Sequence, residues 1–262
     1  MNTGKVGGET FDDLLVEKDF ETRCHGNGFT RNTSSYINMS TPSSFKAAER
    51  EHTSVLAAAE KRTLIKIAGS LPQWVNSDHL TGLGFVSLIA AGVSYWYASV
   101  NPYALLAVIV FLILNWFGDS LDGTLARVRN KQRPRYGFYV DHILDAIGMF
   151  FLISGIALSG YMSPSVAYAF LVAYLLLSIE IYLATYAVGK FHLSYWRFGP
   201  TELRILLAIG NITVLSHPHA RIMGQEYLLF DVGFAVGTVA LTIILIQATV
   251  KHTVQLYKEE TK

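Results

Sequence analysis

The residues of this chain best placed to do chemistry lie in NWFGDSLDGTLARVRNKQRPRYGFYVDHILDAIG, positions 115–148. Asp119, Asp122, Gly123 and Ala126 are spaced i, i+3, i+4, i+7 and share one face of a helix. Beyond an Arg-rich connection, Gly137, Asp141 and Asp145 step by four, which sets the two carboxylates about 40° apart around a second helix. Carboxylates crowded into a partly desolvated cleft repel one another unless positive charge joins them. Hard divalent cations such as Mg2+ or Mn2+ take oxygen ligands and commonly combine a few carboxylates with a phosphate. The four aspartates are therefore candidate ligands for two such ions. On the same stripe, Gly123 and Ala126 lack the bulk that would keep a nucleotide from the helix backbone, and Arg127 offers a bidentate contact to phosphate. Each piece also has a plainer use. An Asp pair at i, i+3 is often a helix cap or a solvated face, small residues in membrane helices are often packing notches, and Arg129 and Lys131 read mainly as loop residues that set topology.

The elements that must position these residues are predicted to be membrane helices. The 262 residues are 51% hydrophobic and 16% charged, with polar ends around an apolar middle, a membrane-protein profile. The net charge of +1 gives no field suited to nucleic acid. The single cysteine, Cys24, has no intrachain partner for a disulfide and is read as inert. The first residues show no basic n-region followed by an apolar h-region, so insertion is expected to rely on internal spans. Residues 1–44 read as a mobile cytosolic tail. Residues 45–72 read as an amphipathic helix lying on the lipid surface, with Leu56, Leu64, Ile65 and Ile67 among Lys61, Arg62 and Lys66. An ordinary helix packed on other protein segments is the competing reading there.

Six apolar segments follow at 80–99, 103–118, 143–160, 163–188, 203–215 and 231–250, which predicts an all-α polytopic domain of six transmembrane helices over 76–255. The second and fifth segments are short and must continue into their polar flanks to cross a ~30 Å core. Basic residues crowd the connections before the first span, between the second and third, around the fourth and fifth, and after the sixth; the opposite loops hold only Arg221. The positive-inside rule then places both termini, and the acidic stretch, in or facing the cytoplasm.

The spacing D-x2-D-G-x2-A-R-x9-G-x3-D-x3-D, met at every defining position from Asp119 to Asp145, resembles the signature of the CDP-alcohol phosphotransferase (CDP-alcohol phosphatidyltransferase) family of phospholipid-synthesis enzymes, and the six-span layout is similar to its membrane domain. The resemblance implies transfer of a phosphatidyl or phosphoalcohol group from a CDP-linked donor to an alcohol, with release of CMP. It implies that Asp119, Asp122, Asp141 and Asp145 form a two-metal site for Mg2+ or Mn2+. It also implies that Asp119, Gly123, Ala126 and Arg127 hold the CDP moiety, and that Asp145 is the general base. Members use CDP-diacylglycerol with a polar alcohol or a CDP-aminoalcohol with diacylglycerol, and many pair as homodimers.

Asp141-His142, and Gly199-Pro200-Thr201-Glu202 before a later span, resemble elements of the choline and ethanolamine branch. For Thr201 and Glu202 a helix start is an equal reading. Arg133, Arg135, Arg197 and Arg204 are candidates for an acceptor phosphate, which points instead to glycerol phosphate or inositol phosphate, or else they are cytosolic anchors. Glu180, an ionisable group within a span, is a functional candidate or a partner for a neighbouring helix. Two further functions compete: a UbiA-like prenyltransferase, whose Asp-rich motifs Asn115 and Asp119 with Asp141 and Asp145 mimic in part, and a cation transporter. The Gly123, Ala126, Arg127 register counts against the first, and the clustering of acids at one face counts against the second.

Overall fold

The computed structural model describes residues 57–188 and 200–261. The expected tail at 1–44, the first part of the 45–72 helix, Cys24, Lys190, Arg197 and Gly199 fall outside them. The elements are α1 (Ala57–Ser70), α2 (Ser77–Ala98), α3 (Ala104–Val128), α4 (Pro134–Ala157), α5 (Pro164–Val188), α6 (Pro200–Ser216), the strands β1 (His219–Ile222) and β2 (Gln225–Leu228), and α7 (Leu229–Glu260). Local chemistry sets several boundaries. Asn76 caps α2 through a reciprocal box: its Oδ1 accepts from the His79 N–H at 2.9 Å, and His79 Nδ1 accepts from the Asn76 N–H at 3.4 Å. Proline opens α4, α5 and α6, where its missing N–H costs nothing. At the end of α3, Asn130 turns left-handed at φ 52°. The Lys131 N–H then reaches the Ala126 carbonyl at 2.9 Å and the Asn130 N–H the Arg127 carbonyl at 3.2 Å, a Schellman closure.

Five helices, α2, α3, α4, α5 and α7, are long and apolar enough to cross a membrane. The second and third predicted spans are each part of a longer helix: α3 runs on through Asp119 to Val128, and α4 begins at Pro134, before its apolar stretch. The fifth predicted span is α6, whose 17 residues cover about 25 Å, less than the hydrocarbon core. α6 is described from Pro200 onward, with Thr201 in its first described turn. The small hairpin between α6 and α7 has no counterpart in the sequence reading. It pairs His219 with Leu228 and Ile222 with Gln225, and its turn residues Met223 and Gly224 both have positive φ, at 52° and 85°, the I′ geometry that matches strand twist. A Met-Gly turn is a fainter signal than Asn-Gly.

The three helices nearest the acidic stretch pack backbone on backbone. A Cβ added to Gly118 of α3 would lie 2.6 Å from the Leu80 carbonyl oxygen and 2.7 Å from the Gly84 nitrogen of α2. Farther along α2, a Cβ on Gly155 of α4 would run into the backbone of Gly92. Between and around these crossings sits a core that includes Tyr95, Leu105, Val108, Ile153 and Ile156. α1 lies against α3, with Leu64 and Ala68 buried in one cluster with Leu121 and Leu125 of α3 and Leu80 of α2, while Arg62, Ile65 and Lys66 face outward. It is thus a protein-packed helix on one face and an apolar and basic surface on the other.

α5 and α7 pair through side chains instead. Phe170 and Phe234 meet at 4.7 Å, the N–H and Oγ of Ser163 donate to Asp231 at 2.7 and 2.6 Å, and Glu180 Oε1 lies 2.6 Å from His252 Nδ1 with both side chains mostly buried. Glu180 is therefore a helix-to-helix partner. The rest of α7 exposes Val236, Val239, Ile243, Ile246 and Val250, an apolar surface suited to lipid.

Replacing Gly118 or Gly155 with Ala is expected to lower the thermal unfolding temperature, because overpacking at about 1–3 kcal/mol outweighs the roughly 1 kcal/mol of helix propensity gained. Gly233→Ala, where the added carbon meets nothing within 4 Å, is the control expected to leave it unchanged or raised. Removing one member of the Glu180–His252 pair strands the other in a buried site, a loss of about 3–5 kcal/mol for fully buried pairs. Glu180→Leu and His252→Leu are expected to destabilise singly by more than the double replacement does, measured by the same thermal unfolding.

Candidate active site

The two acidic faces converge as their spacing requires. One carboxylate oxygen from each of Asp119, Asp141 and Asp145 lies within 4.8 Å of the others, and all three groups are half-buried. Asp122 lines the same cleft, together with Thr81, Gly84, Phe85, Asn115 and Leu144. The Gly84–Gly118 contact sets this geometry: with no side chain between α2 and α3, the face carrying Asp119 and Asp122 sits directly over the start of α2. Two groups on α2 then reach Asp122. The Thr81 hydroxyl donates to its Oδ2 at 2.7 Å, and Ser77 Oγ donates to its main-chain carbonyl at 3.0 Å. The Gly123 N–H closes on the other carboxylate oxygen.

Asp119 is held by a different helix. Arg204 of α6 donates through Nη2 to Asp119 Oδ2 at 2.7 Å and through Nε to Asn115 Oδ1 at 2.8 Å. Asn115 in turn donates to the Gly84 carbonyl at 3.0 Å. One guanidinium cannot balance four carboxylates gathered in one cleft, so the site retains a large affinity for further positive charge. The donor set is all oxygen, without thiolate or imidazole among the converging atoms, and fits hard ions of the Mg2+ or Mn2+ kind.

The remaining candidates are arranged around this cleft. A Cβ on Gly123 would meet nothing within 4 Å, so this face of α3 is open, and Ala126 is half-buried beside it. Arg127 is exposed and donates to Thr124 Oγ1 at 3.1 Å. Gly137 is exposed in the first turn of α4. His142 sits beside Asp141: its Nδ1 lies 2.6 Å from the Phe138 carbonyl oxygen and 4.0 Å from Asp141 Oδ2, and its ring packs edge-on against Tyr182 of α5 at 4.8 Å. Arg133 pairs with Asp78 and stacks over Tyr136 at 4.3 Å. Thr81, Ser77 and Asn115 carried no assignment as supports in the sequence. Asn115 was within reach, lying four residues before Asp119 on one helical face, whereas Thr81 and Ser77 join through a crossing that no local spacing reveals.

Residues 74–250, more than half of the chain, match the family model described as CDP-alcohol phosphatidyltransferase. No curated protein matches the chain.

Asn replacement of Asp119, Asp141 or Asp145 removes charge at the convergence point without changing side-chain volume. Each is expected to weaken Mn2+ binding to the purified protein in lipid nanodiscs by more than the roughly 10- to 100-fold typical of losing an outer-shell partner, read from the free-Mn2+ electron paramagnetic resonance signal. Unchanged binding in any one of them would remove that residue from the ligand set.

Proposed function

The chain belongs to the CDP-alcohol phosphatidyltransferase family of membrane transferases, and from that membership we propose a metal-dependent transfer of a phosphoalcohol or phosphatidyl group from a CDP-linked donor to an alcohol hydroxyl, releasing CMP. The observation that carries this reading is the meeting of Asp119, Asp141 and Asp145 oxygens within 4.8 Å beside the open Gly123 face. In this proposal Asp119, Asp122, Asp141 and Asp145 hold two Mg2+ or Mn2+ ions. Bound there, the metal supplies Lewis-acid neutralisation of the pyrophosphate charge.

The chain's own groups do the rest. Gly123 and Ala126 let the donor lie against the α3 backbone, and exposed Arg127 contacts its phosphates. The acceptor hydroxyl gives its proton to the Asp145 carboxylate, and its oxygen forms a bond to the phosphorus distal to cytidine. The bond from that phosphorus to the bridging oxygen breaks, and CMP leaves with the electron pair. Arg204, itself held by Asn115, fixes the Asp119 carboxylate through a direct hydrogen bond, so that its position does not depend on the substrate.

The remaining assignments belong to the same proposal. The membrane domain spans 76–255 with α6 as the fifth of six crossings, α1 rests on the cytoplasmic lipid surface, and the cleft opens to the cytoplasm, in accord with the basic residues at that end. For the substrates, Arg133 and Arg204 already have acidic partners in Asp78 and Asp119. That weakens their case as receptors for an acceptor phosphate and supports the aminoalcohol branch, with diacylglycerol as the hydroxyl acceptor. The crowding of carboxylates at one end of two helices does not support a transport path, and the Gly123, Ala126, Arg127 register does not support the prenyltransferase arrangement.

The deciding measurement is CMP release by the purified protein in lipid with Mg2+ or Mn2+. CDP-ethanolamine or CDP-choline is offered with diacylglycerol and, separately, CDP-diacylglycerol with glycerol phosphate, inositol phosphate or serine. Acceptor-dependent CMP from the first set is expected; release only from the second would move the chain to the other branch, and none from either would overturn the reaction. Excess EDTA is expected to abolish turnover and added Mn2+ to restore it. Asp145→Asn is expected to bind donor without turnover. Gly123→Leu is expected to keep Mn2+ affinity and lose donor binding, since the added side chain fills the open face.

A further inference from the structure

The break between α1 and α2 shows a contact that neither the metal site nor the spacing motif includes. α1 has no basic residue in its last turn, and the chain after it, from Leu71 to Val75, presents a run of main-chain carbonyls around Pro72. Helix ends of this kind leave oxygens that need donors. Arg129, the residue that caps α3, supplies them. Its Nη2 donates to the Leu71 and Pro72 carbonyls at 2.9 and 3.0 Å, and its Nη1 donates to the Gln73 carbonyl at 3.5 Å and to that of Val75. Four oxygens converge on one planar guanidinium, an arrangement that an ammonium with three donors cannot reproduce. The Schellman closure behind Arg129 fixes the direction from which it reaches.

The same elbow leads directly into Ser77 and Thr81, the two residues of α2 that hydrogen-bond Asp122. We propose that Arg129 is a positioning residue for the acidic site: by clamping the 71–75 elbow it sets the start of α2, and through Thr81 it aims the Asp122 carboxylate. The clamp, the elbow, Thr81 and Asp122 form a closed circuit, because Asp122 and Arg129 lie on the same helix two turns apart. The circuit ties the start of α2 to α3 at two points, the elbow before its first turn and Thr81 in its second. Arg133, paired with Asp78, braces the first turn of α2 from the α4 side. A basic loop residue that merely orients the chain in the membrane would be satisfied by any cation and would leave Asp122 indifferent to its replacement.

This inference rests on the reading of Asp122 as a metal ligand, and the test separates the two. Mn2+ binding is measured by electron paramagnetic resonance on the full chain in nanodiscs for Asp122→Asn, Arg129→Gln, Arg129→Lys, Thr81→Val and the Arg129→Gln/Thr81→Val double variant. Asp122→Asn is expected to weaken binding most. Arg129→Gln and Thr81→Val are each expected to weaken it by about tenfold, the lower end for loss of an outer-shell partner. Arg129→Lys is expected to fall between wild type and Arg129→Gln. The double variant is expected to lose no more than the worse single one, since both cut one circuit. Wild-type affinity in Arg129→Gln or in Thr81→Val beside a weakened Asp122→Asn would overturn the positioning role and leave the metal site standing. Wild-type affinity in Asp122→Asn would overturn the ligand role of Asp122 and the inference with it. Thr81→Val cuts the circuit at its far end without touching the elbow, so the proposal remains testable if Arg129→Gln fails to fold.

Discussion

Everything at the acidic site depends on how closely three helix backbones approach. Asp119 and Asp122 belong to α3, Asp141 and Asp145 to α4, and carboxylates on separate helices separate when nothing restrains them. The restraint is α2. It touches α3 at Gly84 and Gly118 and α4 at Gly92 and Gly155, in both places with no side chain interposed. In lipid, where apolar association has little hydrophobic drive, close packing of this kind is the main source of helix adhesion. A stiff three-helix unit results, and on it electrostatic strain is tolerated because the helices cannot move apart to relieve it.

The strain is then managed by a small set of hydrogen bonds, most of them from elements outside the two acidic helices. Thr81 and Ser77 of α2 hold Asp122, and Arg204 of α6 holds Asp119 through a fork shared with Asn115. These contacts fix geometry more than they neutralise charge. The site is left with excess negative charge in a confined place, which is the condition under which a hard divalent ion binds with phosphate completing its shell. Family membership says what such a site is for in related transferases; the supports found around it say why this chain can keep it assembled.

Much of this was legible beforehand. Periodicity identified which residues share a face, because 100° per residue is a property of the helix alone. Thus Asp119, Asp122, Gly123 and Ala126 aligned as expected, and the motif carried the family. Apolar length found the long helices, and the shortness of the second span together with the helical register of the acidic stretch carried α3 and α4 on through polar residues, where hydropathy falls while backbone hydrogen bonding does not. The β1–β2 hairpin was missed because its Met223-Gly224 turn carries only half of the usual signal. Thr81, Ser77 and the carbonyl clamp of Arg129 were out of reach, since each is a contact between segments 41 to 58 residues apart in the chain. A single sequence records no pairings at that range. Arg129 shows the difficulty most clearly. In the sequence it is one of five basic residues in a topogenic loop, and nothing in its type separates it from Lys131 until the oxygens it serves are known.

The uneven way in which the helices are joined has a consequence for chemistry at an interface. α2, α3 and α4 are fastened by backbone contact, which admits little adjustment. α5 and α7 are joined by rings and by the Glu180–His252 and Ser163–Asp231 contacts, and α6 reaches the site through one long side chain. Side-chain contacts have alternative rotamers, whereas two backbones in van der Waals contact have none to exchange. In the proposed function a water-soluble reactant is joined to one with acyl chains, and both must be admitted without disturbing the carboxylates. Placing the acids on the fastened helices, and leaving the compliant joints to α5, α6 and α7, meets those two demands with different parts of one bundle.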